Sequence, residues 1–134
     1  MKSISDLQAI IEQELSNINI PKAPENLYKP IDYVIGLGGK RMRPILVLTA
    51  HQLFDTELKK VLAPALGIEV FHNFTLLHDD IMDNATLRRG KKTVHEKWNN
   101  NVAILSGDTM LVHAYQLISD VDKSIIKEVL SVFN

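Results

Sequence analysis

An all-α protein is what these 134 residues predict, and three observations carry the expectation. Apolar side chains return every three to four positions through most of the chain. Prolines and a glycine pair fall between those periodic stretches, where helices stop or start. No stretch alternates apolar and polar residues as a half-buried strand would, and no repeat or low-complexity segment breaks the pattern.

The elements follow in order. Ser5 and Gln8 have capping-box spacing ahead of Leu7, Ile11, Leu15 and Ile18, which predicts a first helix closed by Pro21 and Pro24. A second helix is expected over 25–37, disturbed by Pro30 and stopped at Gly38-Gly39. Pro44 suits the first turn of a third helix, and 45–54 is apolar nearly all round, so burial is expected there. A fourth begins after Thr56, with Pro64 as a kink or restart. Residues 84–92 read as a polar, basic loop. Thr93 and Glu96 form a second capping box for a short helix toward Trp98. Asn99-Asn100-Asn101 interrupts, and a further helix spans 102–119. The last piece, 122–134, keeps Ile125, Ile126, Val129, Leu130 and Phe133 largely on one side.

Composition bounds the partners. The chain is 46% hydrophobic and 23% charged, with a formal net charge of -1, ordinary for one modest core. So even a balance offers no general attraction to nucleic acid or membrane, and any polyanion must be met locally. Cysteine is absent, which excludes disulfides and thiolate metal sites. Met1-Lys2-Ser3-Ile4-Ser5-Asp6 lacks the apolar core of a secretory signal, and runs such as Ile45-Leu46-Val47-Leu48 are too short to span a bilayer. A cytoplasmic protein without stable membrane insertion is expected.

Chemistry concentrates in three stretches. In Leu76-Leu77-His78-Asp79-Asp80-Ile81-Met82-Asp83, a helix places Asp79 and Asp83 about 40° apart on one face with a rise of ~6 Å. His72 falls within about 20° of the same line. Leu66, Val70, Phe74, Leu77 and Ile81 gather opposite. Carboxylates this close repel unless a cation or proton offsets them. The pattern fits either a solvated acidic helix end or an oxygen-ligand site, and the latter favours magnesium, which binds substrate phosphates while keeping waters.

The second stretch is Gly38-Gly39-Lys40-Arg41-Met42-Arg43-Pro44. Two glycines allow a tight turn, and three cations stand at a helix start, as a diphosphate cradle or a capped junction would require. The third, Arg88-Arg89-Gly90-Lys91-Lys92, is a basic loop a few residues beyond the carboxylates, able to fork onto phosphate. Gly107-Asp108 inside a helix suggests close helix–helix packing.

Together these stretches resemble one family, the trans-isoprenyl diphosphate synthases or polyprenyl synthases. Gly39-Lys40-Arg41-Met42-Arg43-Pro44 looks like its glycine-lysine-arginine motif, and His78-Asp79-Asp80-Ile81-Met82-Asp83 with Arg88-Arg89-Gly90 looks like its first aspartate-rich motif. Glu69 with His72, Thr93-Val94-His95 and Ala103-Ile104-Leu105-Ser106-Gly107-Asp108 are smaller echoes. The resemblance implies a helical bundle around a central cavity, with residues 1–134 as the N-terminal part of one such domain, and a homodimer. It implies head-to-tail (1'-4) condensation of isopentenyl diphosphate with an allylic diphosphate. Asp79 and Asp83 would bind magnesium, Lys40, Arg43, His72 and Arg89 the isopentenyl diphosphate, and Arg88 the allylic one. Phe74, five residues before Asp79, implies a short product of the farnesyl or geranylgeranyl class.

One departure stands out. The family's second aspartate-rich motif has no counterpart after Asp108, and members are roughly twice as long, so the chain is expected to be an N-terminal half without competent turnover alone. Two other readings compete: an HD-type metal phosphohydrolase built on His78-Asp79 with His51 and His72, and a noncatalytic subunit of a heteromeric synthase.

Overall fold

A computed structural model describes residues 1–134. Seven helices and one small hairpin occur in the order α1 (Ile4–Ser16), α2 (Glu25–Gly36), α3 (Met42–His51), α4 (Lys59–Met82), β1 (Leu87–Arg88), β2 (Lys91–Lys92), α5 (Val94–Lys97), α6 (Asn100–Ile118) and α7 (Ile126–Phe133). The all-α expectation holds, with the hairpin as its correction. Leu87 pairs with Lys92 and Arg88 with Lys91 in an antiparallel ladder. The two-residue loop Arg89-Gly90 has φ of 51° and 74°, the left-handed pair that matches hairpin twist.

Helix α4 is the axis of the molecule. Its buried residues Leu66, Val70 and Leu77 join one core with Leu7, Ile11 and Leu15 of α1, Ile31, Val34 and Ile35 of α2, Ile45 and Leu48 of α3, and Ala103, Met110 and Ala114 of α6. The α4–α6 contact is the closest. A Cβ on Gly67 would meet Ile118 Cγ1 at 2.6 Å and the Ala114 carbonyl at 3.0 Å, and one on Gly107 would meet His78 Cδ2 at 2.6 Å. Small residues thus let the two backbones approach, as the glycine in Gly107-Asp108 suggested.

Several boundaries differ from expectation for local reasons. The first capping box is made by Ser3 and Asp6 rather than Ser5 and Gln8. Pro30 and Pro64 each sit in the second turn of their helix. There a missing N–H deprives only the exposed residues Asn26 and Lys60 of a bond, so neither helix breaks. Helix α3 ends at His51 and is not buried all round: Leu46 is 60% exposed, and Phe54 beyond it 91%. Thr93 stands at the start of α5, but its hydroxyl donates to the Ala85 carbonyl at 2.8 Å instead of capping. Asn99 begins α6 rather than interrupting it, its side chain accepting from the Val102 N–H at 2.9 Å.

Two aromatic groups finish the packing. Phe133 brings α7 back onto α4 and α6, with ring centroids 5.0 Å from Phe71 and 5.1 Å from Tyr115. At the other end Tyr33 meets Trp98 edge-on at 5.4 Å and donates its hydroxyl to the Lys92 carbonyl at 2.7 Å, while the Lys97 ammonium lies 4.4 Å from the Tyr33 ring. The hairpin is therefore seated against α2 and α5.

Candidate active site

The turn from α2 into α3 needs backbone that most residues resist. Gly38 and Gly39 have φ of 77° and 151°, and Arg41 follows in the left-handed region at 51°. Arg41 tolerates that because its side chain is held by an unusual number of partners. It is 3% exposed. Its Nε donates to Glu12 at 2.9 Å, its Nη1 to Glu69 at 2.9 Å and its Nη2 to the Ile35 carbonyl at 2.9 Å. Asn73 steadies the arrangement by donating to the Glu69 backbone carbonyl at 2.8 Å. Burial works against the charge, but the bonds from Glu12 and Glu69 outweigh it and raise the guanidinium's pKa. Of the three cations in this stretch, Arg41 is a tie between α1, α2 and α4.

Lys40 and Arg43 turn the other way. With Gly39, Met42, His72 and Arg89 they line a hollow of about 440 Å³ that also touches Arg41 and Glu69. Arg43 Nη1 lies 3.1 Å from His72 Nε2. The Arg89 guanidinium lies over Gly39, where a Cβ would meet its Nη2 at 3.0 Å. Lys40, Arg43 and Arg89 are exposed and form no ion pair within 4.0 Å. Four of the residues singled out from sequence thus come from a loop, α3, α4 and the hairpin turn to share one space.

The carboxylates divide as well. Asp80 is 6% exposed and accepts a forked pair from Arg88, Nε and Nη2 each at 2.8 Å. That bond, opposed by burial and reinforced by the charges of Asp80, Asp79 and Asp83, raises the Arg88 pKa. Asp79 and Asp83 remain exposed and without an ion-pair partner at the C-terminal end of α4. They lie outside the lining of the cation hollow, since ~10 Å of helix separates Asp79 from His72. The hairpin links the two regions, with Arg88 clamped on α4 and Arg89 roofing Gly39.

No group of three or more histidines or carboxylates converges to hold a metal unaided. Two free carboxylates one turn apart still suit magnesium, which takes its remaining ligands from water and substrate phosphate. His51 bonds the Glu57 carbonyl, His72 pairs with Arg43, and His78 faces Gly107 and the Ile104 carbonyl. Those separate partners leave no shared metal for an HD-type hydrolase.

Sequence reading missed the inward turn of Arg41, the Asp80–Arg88 fork and the Gly39–Arg89 contact. Glu69 was the available signal for the first, an acidic residue inside an apolar stretch that asks for a buried partner.

Comparison with known proteins follows the same lines. A crystal structure of geranylgeranyl pyrophosphate synthase superposes with a TM-score of 0.94 and 46% identity, covering 99% of this chain and 41% of that one. A geranyltransferase from Helicobacter pylori, solved with magnesium and isoprenyl diphosphate, superposes at 0.82 with 28% identity, covering 100% of this chain and 50% of that one. The fold is that of the helical isoprenoid synthases. The geranylgeranyl diphosphate synthase of Methanosarcina mazei is 43% identical over 104 residues, 78% of this chain and 32% of that protein. The polyprenyl synthetase family model matches residues 24–134, and the chain belongs to that family. It spans about a third to a half of these relatives' own length. No helix is long and apolar enough to cross a membrane.

Proposed function

We propose that these residues form the N-terminal part of a prenyltransferase that condenses isopentenyl diphosphate with an allylic diphosphate. The supporting observation is the gathering of Lys40, Arg43, His72 and Arg89 in one hollow whose lone carboxylate, Glu69, is already bonded to Arg41, beside a helix that presents Asp79 and Asp83. Unpaired cations crowded together repel one another, so the arrangement suits a polyanion.

In this reading the hollow holds the diphosphate of the isopentenyl partner. Arg43 and Arg89 supply forked donors, and Lys40 a mobile point charge. Asp79 and Asp83 would hold magnesium, which neutralises charge building on the departing diphosphate. Arg88 serves the allylic diphosphate through Nη1, the guanidinium nitrogen outside its fork with Asp80. Ionisation of the allylic C–O bond leaves a carbocation, the isopentenyl double bond attacks it, and loss of a proton restores an alkene. The protein's part is to stabilise the leaving charge, exclude water and align the two substrates. Phe74, packed between Phe71 and His78, sets a short product in the farnesyl or geranylgeranyl class. The working enzyme is a cytoplasmic homodimer, and its cycle needs more than these 134 residues.

Calorimetry with isopentenyl diphosphate and magnesium tests the reading. Binding by the chain, weakened at least tenfold in Arg43→Gln and Arg89→Gln, supports it. Binding that ignores both changes refutes it.

A further inference from the structure

Within the cation hollow, His72 is the group whose charge can change near neutral pH. If Arg43 donates to His72 Nε2 across their 3.1 Å separation, the imidazole is neutral, because a protonated ring has no lone pair left to accept. The charges facing it are lopsided. Arg43 reaches it from α3, Lys40 and Arg41 share the hollow from the preceding loop, and Arg88 and Arg89 act on it from the hairpin. Glu69, one turn back on α4, is the opposing carboxylate, and it is already bonded to Arg41. Burial first and then Arg43 push the ring below the ordinary histidine range. Glu69 pulls the other way, and Arg89 and Arg88 add to the fall.

We propose that a diphosphate entering this hollow is taken up together with a proton, which settles on His72 Nε2 as Arg43 exchanges the imidazole for a phosphate oxygen. This rests on the reading of the hollow as a diphosphate site. The exchange balances bond for bond. The Arg43 N–H leaves Nε2 and donates to one phosphate oxygen. A solvent proton takes the vacated lone pair, and the new Nε2–H donates to a second oxygen.

The driving force is a reversal of field. Empty, the hollow holds arginines and a lysine that disfavour another positive charge. Filled, it holds several negative charges within a few ångströms of the ring, and these favour the protonated form. His72 is thereby a neutral acceptor that eases repulsion among the cations when the hollow is empty, and a further cation when it is full. By linkage, affinity for diphosphate is highest below the pKa of the free ring. It falls about tenfold for each unit by which binding raises that pKa, and the fall ends above the bound value.

Nuclear magnetic resonance of the imidazole protons tests this directly on the 134-residue chain, with inorganic diphosphate as probe and His72→Gln to assign the His72 signals. The expected result is a His72 midpoint below the ordinary histidine value alone and at least one unit higher with diphosphate. Relative to His72→Gln, which cancels the probe's own ionisation, wild-type affinity should rise at least about threefold between pH 8 and pH 6. A His72 midpoint that stays put while Arg43 and Arg89 signals respond overturns the proton uptake and leaves the diphosphate site standing. No response from any of the three overturns both.

Discussion

Arg41 and Arg43 stand two residues apart in one basic stretch and meet opposite fates. Arg41 is closed in by Glu12, Glu69 and a backbone carbonyl, its charge matched on every side. Arg43 faces a hollow with Lys40 and Arg89, where it forms no ion pair and the one carboxylate, Glu69, is taken by Arg41. A buried cation demands partners, because stranding one charge in the interior is costly. An exposed cluster tolerates their absence and keeps its repulsion in reserve for an incoming anion. The difference separates the part of the motif that builds the fold from the part left open for the proposed diphosphate.

The most damaging change should be Arg41→Met, which leaves the buried Glu69 carboxylate without its cation. Urea unfolding is expected to show a loss of roughly 3–5 kcal/mol, and a loss below about 1 kcal/mol would erase the contrast with Arg43. Arg89→Met should do the reverse, leaving urea stability within about 0.5 kcal/mol of the parent while lowering diphosphate affinity by about 2 kcal/mol in calorimetry. Asp80→Asn probes the link between the two regions. Losing the charged half of the fork should cost about 2 kcal/mol, with faster amide exchange across 87–92 as the readout.

Gly39→Ala sharpens the comparison from the backbone side. The added Cβ meets Arg89 at 3.0–3.2 Å in a conformation that alanine resists. A stability loss near 1 kcal/mol should accompany weaker diphosphate binding, and unchanged binding would show that the Arg89 roof is dispensable. The smallest effect concerns pH. Because the folded state lowers the His72 pKa, stability should be intact above the ordinary histidine value of about 6.5. It should decline as pH falls from there through the folded value. Melting curves at pH 7.5 and 5.5 should show a larger drop for the parent than for His72→Gln.

Much of this arrangement was legible in the chain. Helical spacing located α1, α2, α4 and α6, residue chemistry marked the stretches 38–44, 76–83 and 88–92, and the family resemblance then selected Lys40, Arg43, His72, Asp79, Asp83, Arg88 and Arg89. What was hidden depended on distant partners. Lys40 and Arg41 are equivalent in sequence, and only Glu12 and Glu69, 29 and 28 residues away from Arg41, tell them apart. Asp80 looks like its neighbours until Arg88 folds back on it. The hairpin escaped because Leu87, Arg88, Lys91 and Lys92 show no alternation, and its turn uses Arg89 where Asn or Asp is usual. Pro30 looked like a disturbance and Pro64 like a kink or restart because period and composition do not reveal that the residues they deprive of a bond are exposed.

The seating of the hairpin has a practical consequence. Trp98, the sole indole in the chain, stacks edge-on against the same Tyr33 whose hydroxyl grips the Lys92 carbonyl. Any lifting of the hairpin must disturb that aromatic pair. The protein therefore carries its own fluorophore beside the strut that joins its acidic and basic regions, and emission from one residue can report movement of that strut without a label.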